Sequence, residues 1–117
     1  MTQDVSFHEA TVLELTREGD TARLELQDIR IGERFADATV FVDGVETITI
    51  DDQSVAALEK EYEDGEVLTL EIGERHILLV VEWNDFARRL SQTRGLEIHG
   101  QSIRLTTSEP REEMSRS

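Results

Sequence analysis

Five consecutive residues, Ile77 to Val81, are aliphatic, and this run constrains the fold more than any other stretch. Successive side chains of a strand point to opposite faces, so a strand here shows apolar groups on both. Such a strand is stable only where both faces are covered. The run therefore predicts a central strand, flanked by other strands and by packed layers on each side.

The segments around it follow from alternation and turn chemistry. Val5, Phe7, Leu13 and Leu15, with Thr11 in phase, predict a half-buried strand. Its hairpin at Glu18-Gly19 pairs Thr16 with Thr21, Leu13 with Leu24 and Thr11 with Leu26. In the return strand, Thr21 to Ile31, the apolar phase switches from even positions (Ala22, Leu24, Leu26) to odd ones (Ile29, Ile31). A phase change of this kind predicts a β-bulge at Gln27-Asp28. Gly32-Glu33-Arg34 breaks the strand, and Phe35 to Ala38 read as a loop. Ala38 to Ile50 is rich in β-formers, with Asp43-Gly44 either a hairpin turn or a bulge in one long strand; short hairpin arms favour the bulge.

Asp52 as N-cap, Val55, Leu58 and Tyr62 at helical spacing, and Gly65 as terminator predict one short helix. Glu66 to Ile72 returns to a strand, joined through Gly73-Glu74 to the apolar run, with Leu70 opposite Ile77 and Glu71 opposite His76. Trp83 to Leu90 reads as a strand end followed by a short helix or turn, and Thr93-Arg94-Gly95 as a break. Leu96 and Ile98 align with Ile103 and Leu105 across Gly100-Gln101. The fold class expected is mainly β (α+β): an antiparallel sandwich or strongly curved sheet of about seven or eight short strands with one short helix. Residues 1–107 are expected to form a single domain, frayed over residues 1–4, and 108–117 a disordered polar tail.

Composition narrows the function. The chain has 26 acidic and 12 basic residues, a formal charge of −14. Lys60 is the only lysine, and the arginines do not cluster beyond Arg88-Arg89, which disfavours nucleic acid as a partner. Without cysteine, disulfides, thiolate catalysis and cysteine-ligated metals are excluded. No apolar run approaches the roughly 20 residues needed to span a bilayer, and the first residues lack a signal-peptide pattern. The location expected is cytoplasmic, with no membrane partner and a monomer or weak dimer as the assembly. Three sources of the acidity remain open: a solvated surface, a compositional bias of the source genome, or a face that docks on a basic partner.

Motifs for chemistry are sparse. His8, His76 and His99 lack metal-motif spacing, although His8, His76 and Glu82 outline a conceivable metal-assisted or small-ligand site. There is no Gly-x-Ser-x-Gly elbow and no phosphate-cradling glycine loop. The expectation is therefore no enzyme, no cofactor and no metal. Trp83-Asn84-Asp85-Phe86 is the segment best suited to recognition, because aromatics beside acids can anchor a basic partner. Against this, the stronger reading of the same residues is that Trp83 and Phe86 cap the core while Asn84-Asp85 turn the chain. The partner-binding residues expected are Trp83, Asp85, Phe86, His8 and Glu9.

The opening Phe7-His8-Glu9-Ala10-Thr11-Val12-Leu13 resembles the start of small bacterial β proteins that begin Phe-His-Asp-Ala-x-Val/Ile-Leu, with Glu9 in place of the Asp. Some of these look like immunity proteins that neutralise toxins of interbacterial competition. The resemblance extends loosely to Gly44-Val45 and to Gly100 in the last strand. It implies a binding protein rather than an enzyme, acting on another protein such as a basic toxin or nuclease.

Overall fold

The computed structural model describes residues 5–109. These form ten strands: β1 (Val5–Ser6), β2 (Thr11–Glu18), β3 (Thr21–Ile31), β4 (Arg34–Asp43), β5 (Thr47–Ile50), β6 (Gln53–Ser54), β7 (Asp64–Ile72), β8 (His76–Asp85), β9 (Leu90–His99) and β10 (Ser102–Thr107). All the pairings are antiparallel, in one sheet of order β10-β4-β3-β2-β7-β8-β9-β5-β6, with β1 beside β3. The fold is mainly β, as expected. Two strands beyond the expected number are the two-residue pieces β1 and β6, and the described residues contain no helix.

The sheet bends at two corners. The β2–β7 pairing consists of Thr11 with Glu66, extended by the Glu9 and Val67 amides, which donate to the Val67 and Ala10 carbonyls at 2.7 and 2.8 Å. At the other corner two strands run side by side through the bend: β4 continues into β5, and β9 into β10. There the Gln101 amide donates to the Asp43 carbonyl (2.8 Å) and the Glu46 amide to the His99 carbonyl (2.7 Å). The inward residues of the two arms form one apolar cluster, Val12, Leu24 and Val40 from one arm meeting Ile77, Leu79 and Ile98 from the other. The shortest dimension of the molecule is 20 Å.

The apolar run lies in β8, between β7 and β9, so its central place holds. Its two faces are unequal, however. Ile77, Leu79, Val81 and Trp83 are buried to within 2 %, whereas Leu78 and Val80 on the outer face are half-buried. Glu71, Thr69 and Gly95 stand beside them, so among the described residues no second packed layer covers that side.

Bulges set the phase of burial. The one expected at Gln27-Asp28 is present: register shifts between Leu26 and Ile29, Asp28 takes φ 66°, and both Leu26 and Ile29 face the core. Two others correct the predicted registers. A shift between Val12 and Glu14 sends Val12 inward and leaves Leu13 exposed; the hairpin loop is Gly19-Asp20, and Leu24 faces Leu15 rather than Leu13. The loop after β7 is longer than Gly73-Glu74, with Ile72 opposite Ile77, which aligns Leu70 with Leu79 instead of Ile77 and Glu71 with Leu78 instead of His76; the shift at Leu68 then sets Val67 against Val81 instead of Val80.

Other expectations are corrected by continuity of the ladder. Phe35 to Ala38 belong to β4 and Thr93-Arg94-Gly95 to β9. The Gly100-Gln101 bend joins the two arms and is no hairpin, since β9 pairs with β8 and β5 while β10 pairs with β4. Asp43-Gly44 is no hairpin either, because β5 pairs with β9; the chain passes through Gly44 at φ 64°, close to one long strand interrupted at Gly44.

The predicted helix is replaced by a two-residue turn and an extended strap. Ile50 faces Gln53 across Asp51-Asp52, both with positive φ, 52° and 69°, the geometry of a type I′ hairpin turn. Asp52 therefore cannot serve as N-cap. Val55, Leu58 and Tyr62 do reach the core cluster, but from irregular chain spanning residues 55–63. Two arginines hold the strap. Arg94 contacts Asp51 at 3.0 Å and Glu61 at 3.0 Å, and Arg17 donates to the Ala56 carbonyl at 2.9 Å. The expected tail lies mostly in 110–117, outside the described residues; Ser108 donates its amide to the Asp37 carbonyl at 2.8 Å.

Candidate binding cleft

Asp64 begins β7 and pairs with Asn84 near the end of β8. The Asn84 amide donates to Asp64 Oδ2 (3.0 Å), and the Ser91 hydroxyl donates to Asn84 Oδ1 (2.7 Å). This fixes three neighbouring strands at one end of the sheet. Beyond it, residues 86–89 form a turn closed by Asp85, whose Oδ1 accepts the Arg88 amide at 3.2 Å. Arg89 takes φ 58°, so the Trp83–Leu90 ambiguity resolves as a turn.

A shallow cleft of about 280 Å³ opens here, lined by Tyr62, Glu63, Asp64, Asn84, Asp85 and Phe86. Phe86 is 74 % exposed. A phenyl ring left in water is a large apolar group without burial, and three carboxylates, Glu63, Asp64 and Asp85, line the same cleft. Asp85 keeps Arg88 at 3.6 Å. The cleft thus offers one apolar anchor inside a negative rim.

Of the residues predicted to bind a partner, Asp85 and Phe86 meet in this cleft. Trp83 does not: it faces inward with 2 % exposure, opposite Gly65, and belongs to the core. Alternation explains the split, since Trp83 and Asn84 point to opposite faces. His8 and Glu9 are exposed at the β2–β7 corner, with the His8 Nδ1 at 2.9 Å from the Leu68 carbonyl and its Nε2 at 3.8 Å from Glu9. Glu9 itself takes φ 71°, where the chain turns into β2. Tyr62, Glu63 and Asp64 were not singled out from the sequence. Their approach depends on the β7–β8 register, which a pattern read in one dimension misplaces.

The histidines do not converge with Glu82. His76 and His99 stack across β8 and β9, ring centroids 5.1 Å apart, with His99 at 3.4 Å from Glu97. Glu82 lies six residues along β8 from His76, roughly 20 Å at the strand rise. Among the described residues no three metal-binding side chains gather.

Two carboxylates are held below their ordinary range. Asp51 accepts the Gly95 amide (2.9 Å) and then Arg94, and both lower its pKa, the amide most. Asp43 is lowered chiefly by its hydrogen bond from Arg104, at 2.6 and 2.9 Å. Neither lies among the cleft residues. Comparison with family models, curated proteins and solved structures finds no match for this chain.

Proposed function

We propose that the chain is a cytoplasmic, non-enzymatic binding domain that receives a cationic segment of another protein, the class of partner being a basic toxin or nuclease. One observation carries the reading: Phe86, 74 % exposed, stands at an acid-lined cleft. An exposed aromatic inside a carboxylate rim matches a partner that presents an apolar side chain next to Arg or Lys. The charge of −14 steers such a partner from a distance. In this reading the two arms are the layers of an antiparallel sandwich, a rigid frame that holds the Asp64–Asn84–Ser91 link in place.

The test is an amide NMR titration with a short arginine-rich peptide containing one leucine, and with its glutamate counterpart. Shifts confined to residues 62–64 and 84–88, lost at high salt and weakened more than about tenfold by Phe86→Ala, support the reading. Diffuse shifts, or capture indifferent to salt and to Phe86→Ala, overturn it.

A further inference from the structure

The last strand has features of an interface for a second copy of the same chain. β10 ends the strand order, pairing with β4 on one side, and no described strand pairs with its other edge. Ser108 donates its amide to Asp37, which sets the phase of the ladder. In antiparallel pairing, hydrogen-bonded and open positions alternate. Even-numbered residues of β10 therefore turn their amides and carbonyls toward β4, while Ile103, Leu105 and Thr107 turn theirs outward. Residues 102–107 contain no proline, no lysine and no register shift, three of the usual protections of an edge.

Charge singles out the same strand. In a chain of −14, no acid occurs between Glu97 and Glu109. The one charged side chain of β10, Arg104, is held by Asp43 at 2.6 Å and lies 4.3 Å over the Phe41 ring, so it is already paired within its own copy. Leu105 sits opposite the buried Val40, on the core-facing side, yet is 45 % exposed. Among the described residues nothing covers it along the edge.

We propose that β10 pairs antiparallel with β10 of a second copy, about a two-fold axis through Leu105. This register sets Leu105 against the second copy's Leu105, Ile103 against Thr107, and Arg104 against Thr106. It keeps the two Arg104 side chains from standing opposite each other. All three outward-facing residues then become hydrogen-bonded positions, giving about six inter-chain bonds. It also makes the apolar inner face continuous across the seam.

This dimer and the cationic partner respond oppositely to salt. Two copies of a −14 chain repel each other, so added salt strengthens their pairing while weakening capture of a basic peptide. The two proposals therefore stand or fall separately.

Sedimentation velocity over a wide concentration range, at low and high salt, is the experiment. A monomer–dimer equilibrium favoured by salt is expected, with the amides of Ile103, Leu105 and Thr107 protected from hydrogen exchange only where dimer forms. Leu105→Lys places two like charges at the axis and should abolish dimerisation. Leu105→Pro removes an outward amide without touching the β4 ladder and should do the same. Native Trp83 fluorescence reports that each variant has folded. A monomer at every concentration, a dimer that survives both substitutions, or protection of these amides in the monomer (a sign that residues 110–117 cover the edge) overturns the proposal.

Discussion

Gly65→Ala is the substitution whose cost the structure defines most sharply. Gly65 faces Trp83 across β7 and β8, and a methyl group there would lie 2.5 Å from Trp83 Cζ3, 2.7 Å from Cε3 and 3.2 Å from Cη2. Carbon atoms pack best at about 3.5–4.0 Å, so the overlap is about 1 Å. The indole has no room to retreat, being 2 % exposed within the core cluster. Overpacking of this kind costs about 1–3 kcal/mol. A domain near this size loses roughly 4 °C of Tm per kcal/mol, which makes the expected drop about 4–12 °C. Gly95→Ala is the control. Gly95 also lies within a strand, but its nearest neighbour is Asp51 Oδ1 at 3.9 Å, so that variant should stay within about 1 kcal/mol of the parent. Denaturant unfolding followed by Trp83 fluorescence measures both, because Trp83 is the only tryptophan. Combining Gly65→Ala with Trp83→Phe, read by circular dichroism, should cost less than the two single changes together, by about 1 kcal/mol. A harmless Gly65→Ala, or strict additivity of the pair, would refute this account of how the aromatic core is packed.

Two further outcomes concern the strap. Arg94→Met removes the contacts to Asp51 and Glu61 and also the hydrogen bond to Gln92. Amide exchange over residues 53–63 should accelerate several-fold while Tm barely moves, since exposed ion pairs add little global stability; a large Tm loss with no local change would contradict the clamp. The folded-state pKa of Asp51 is depressed from its ordinary 3.8, so its stabilising effect is complete above that value and is lost as pH falls through the lower folded value. A carboxyl NMR titration should place the Asp51 midpoint below 3.8, with the Gly95 amide shifting in step, and Arg94→Met should move it only part of the way back. A midpoint at or above 3.8 in the parent protein would show the Gly95 hydrogen bond to be absent.

What could be read from the sequence was what neighbours in the chain decide. Ala22, Leu24 and Leu26 followed by Ile29 and Ile31 reveal their bulge because the residues on both sides stay apolar and merely change phase. The bulge at Leu13 hides itself, since Val12, Leu13 and Leu15 are all apolar and either phase looks plausible until β3 and β7 approach. The Leu68 bulge hides in the same way among Val67, Leu68 and Leu70. The false helix has a related origin. Val55, Leu58 and Tyr62 do turn toward the core, but three apolar positions in irregular chain can satisfy the same burial as a helical stripe. Asp51-Asp52 then settled the local geometry as a hairpin turn, with Asp among the residues that tolerate a positive φ.

The cleft shows where reading a chain in order stops being sufficient. Asp85 and Phe86 announce themselves as an acid beside an aromatic, but the cleft they line is completed by Glu63 and Asp64, some twenty residues earlier. That meeting requires the β7–β8 register, and the register turns on a bulge invisible in the apolar pattern. Trp83 fails as a contact for a simpler reason: it is adjacent to Asn84 in sequence and so on the opposite face of the strand. The same alternation that buries Trp83 against Gly65 turns Asn84 outward to bind Asp64 and Ser91. Packing inside and the cleft outside are thus coupled through one short stretch of β8. A change that displaces the indole shifts the strand that carries Asn84 and Asp85, so Gly65→Ala should loosen the cleft even though its methyl group faces away from it.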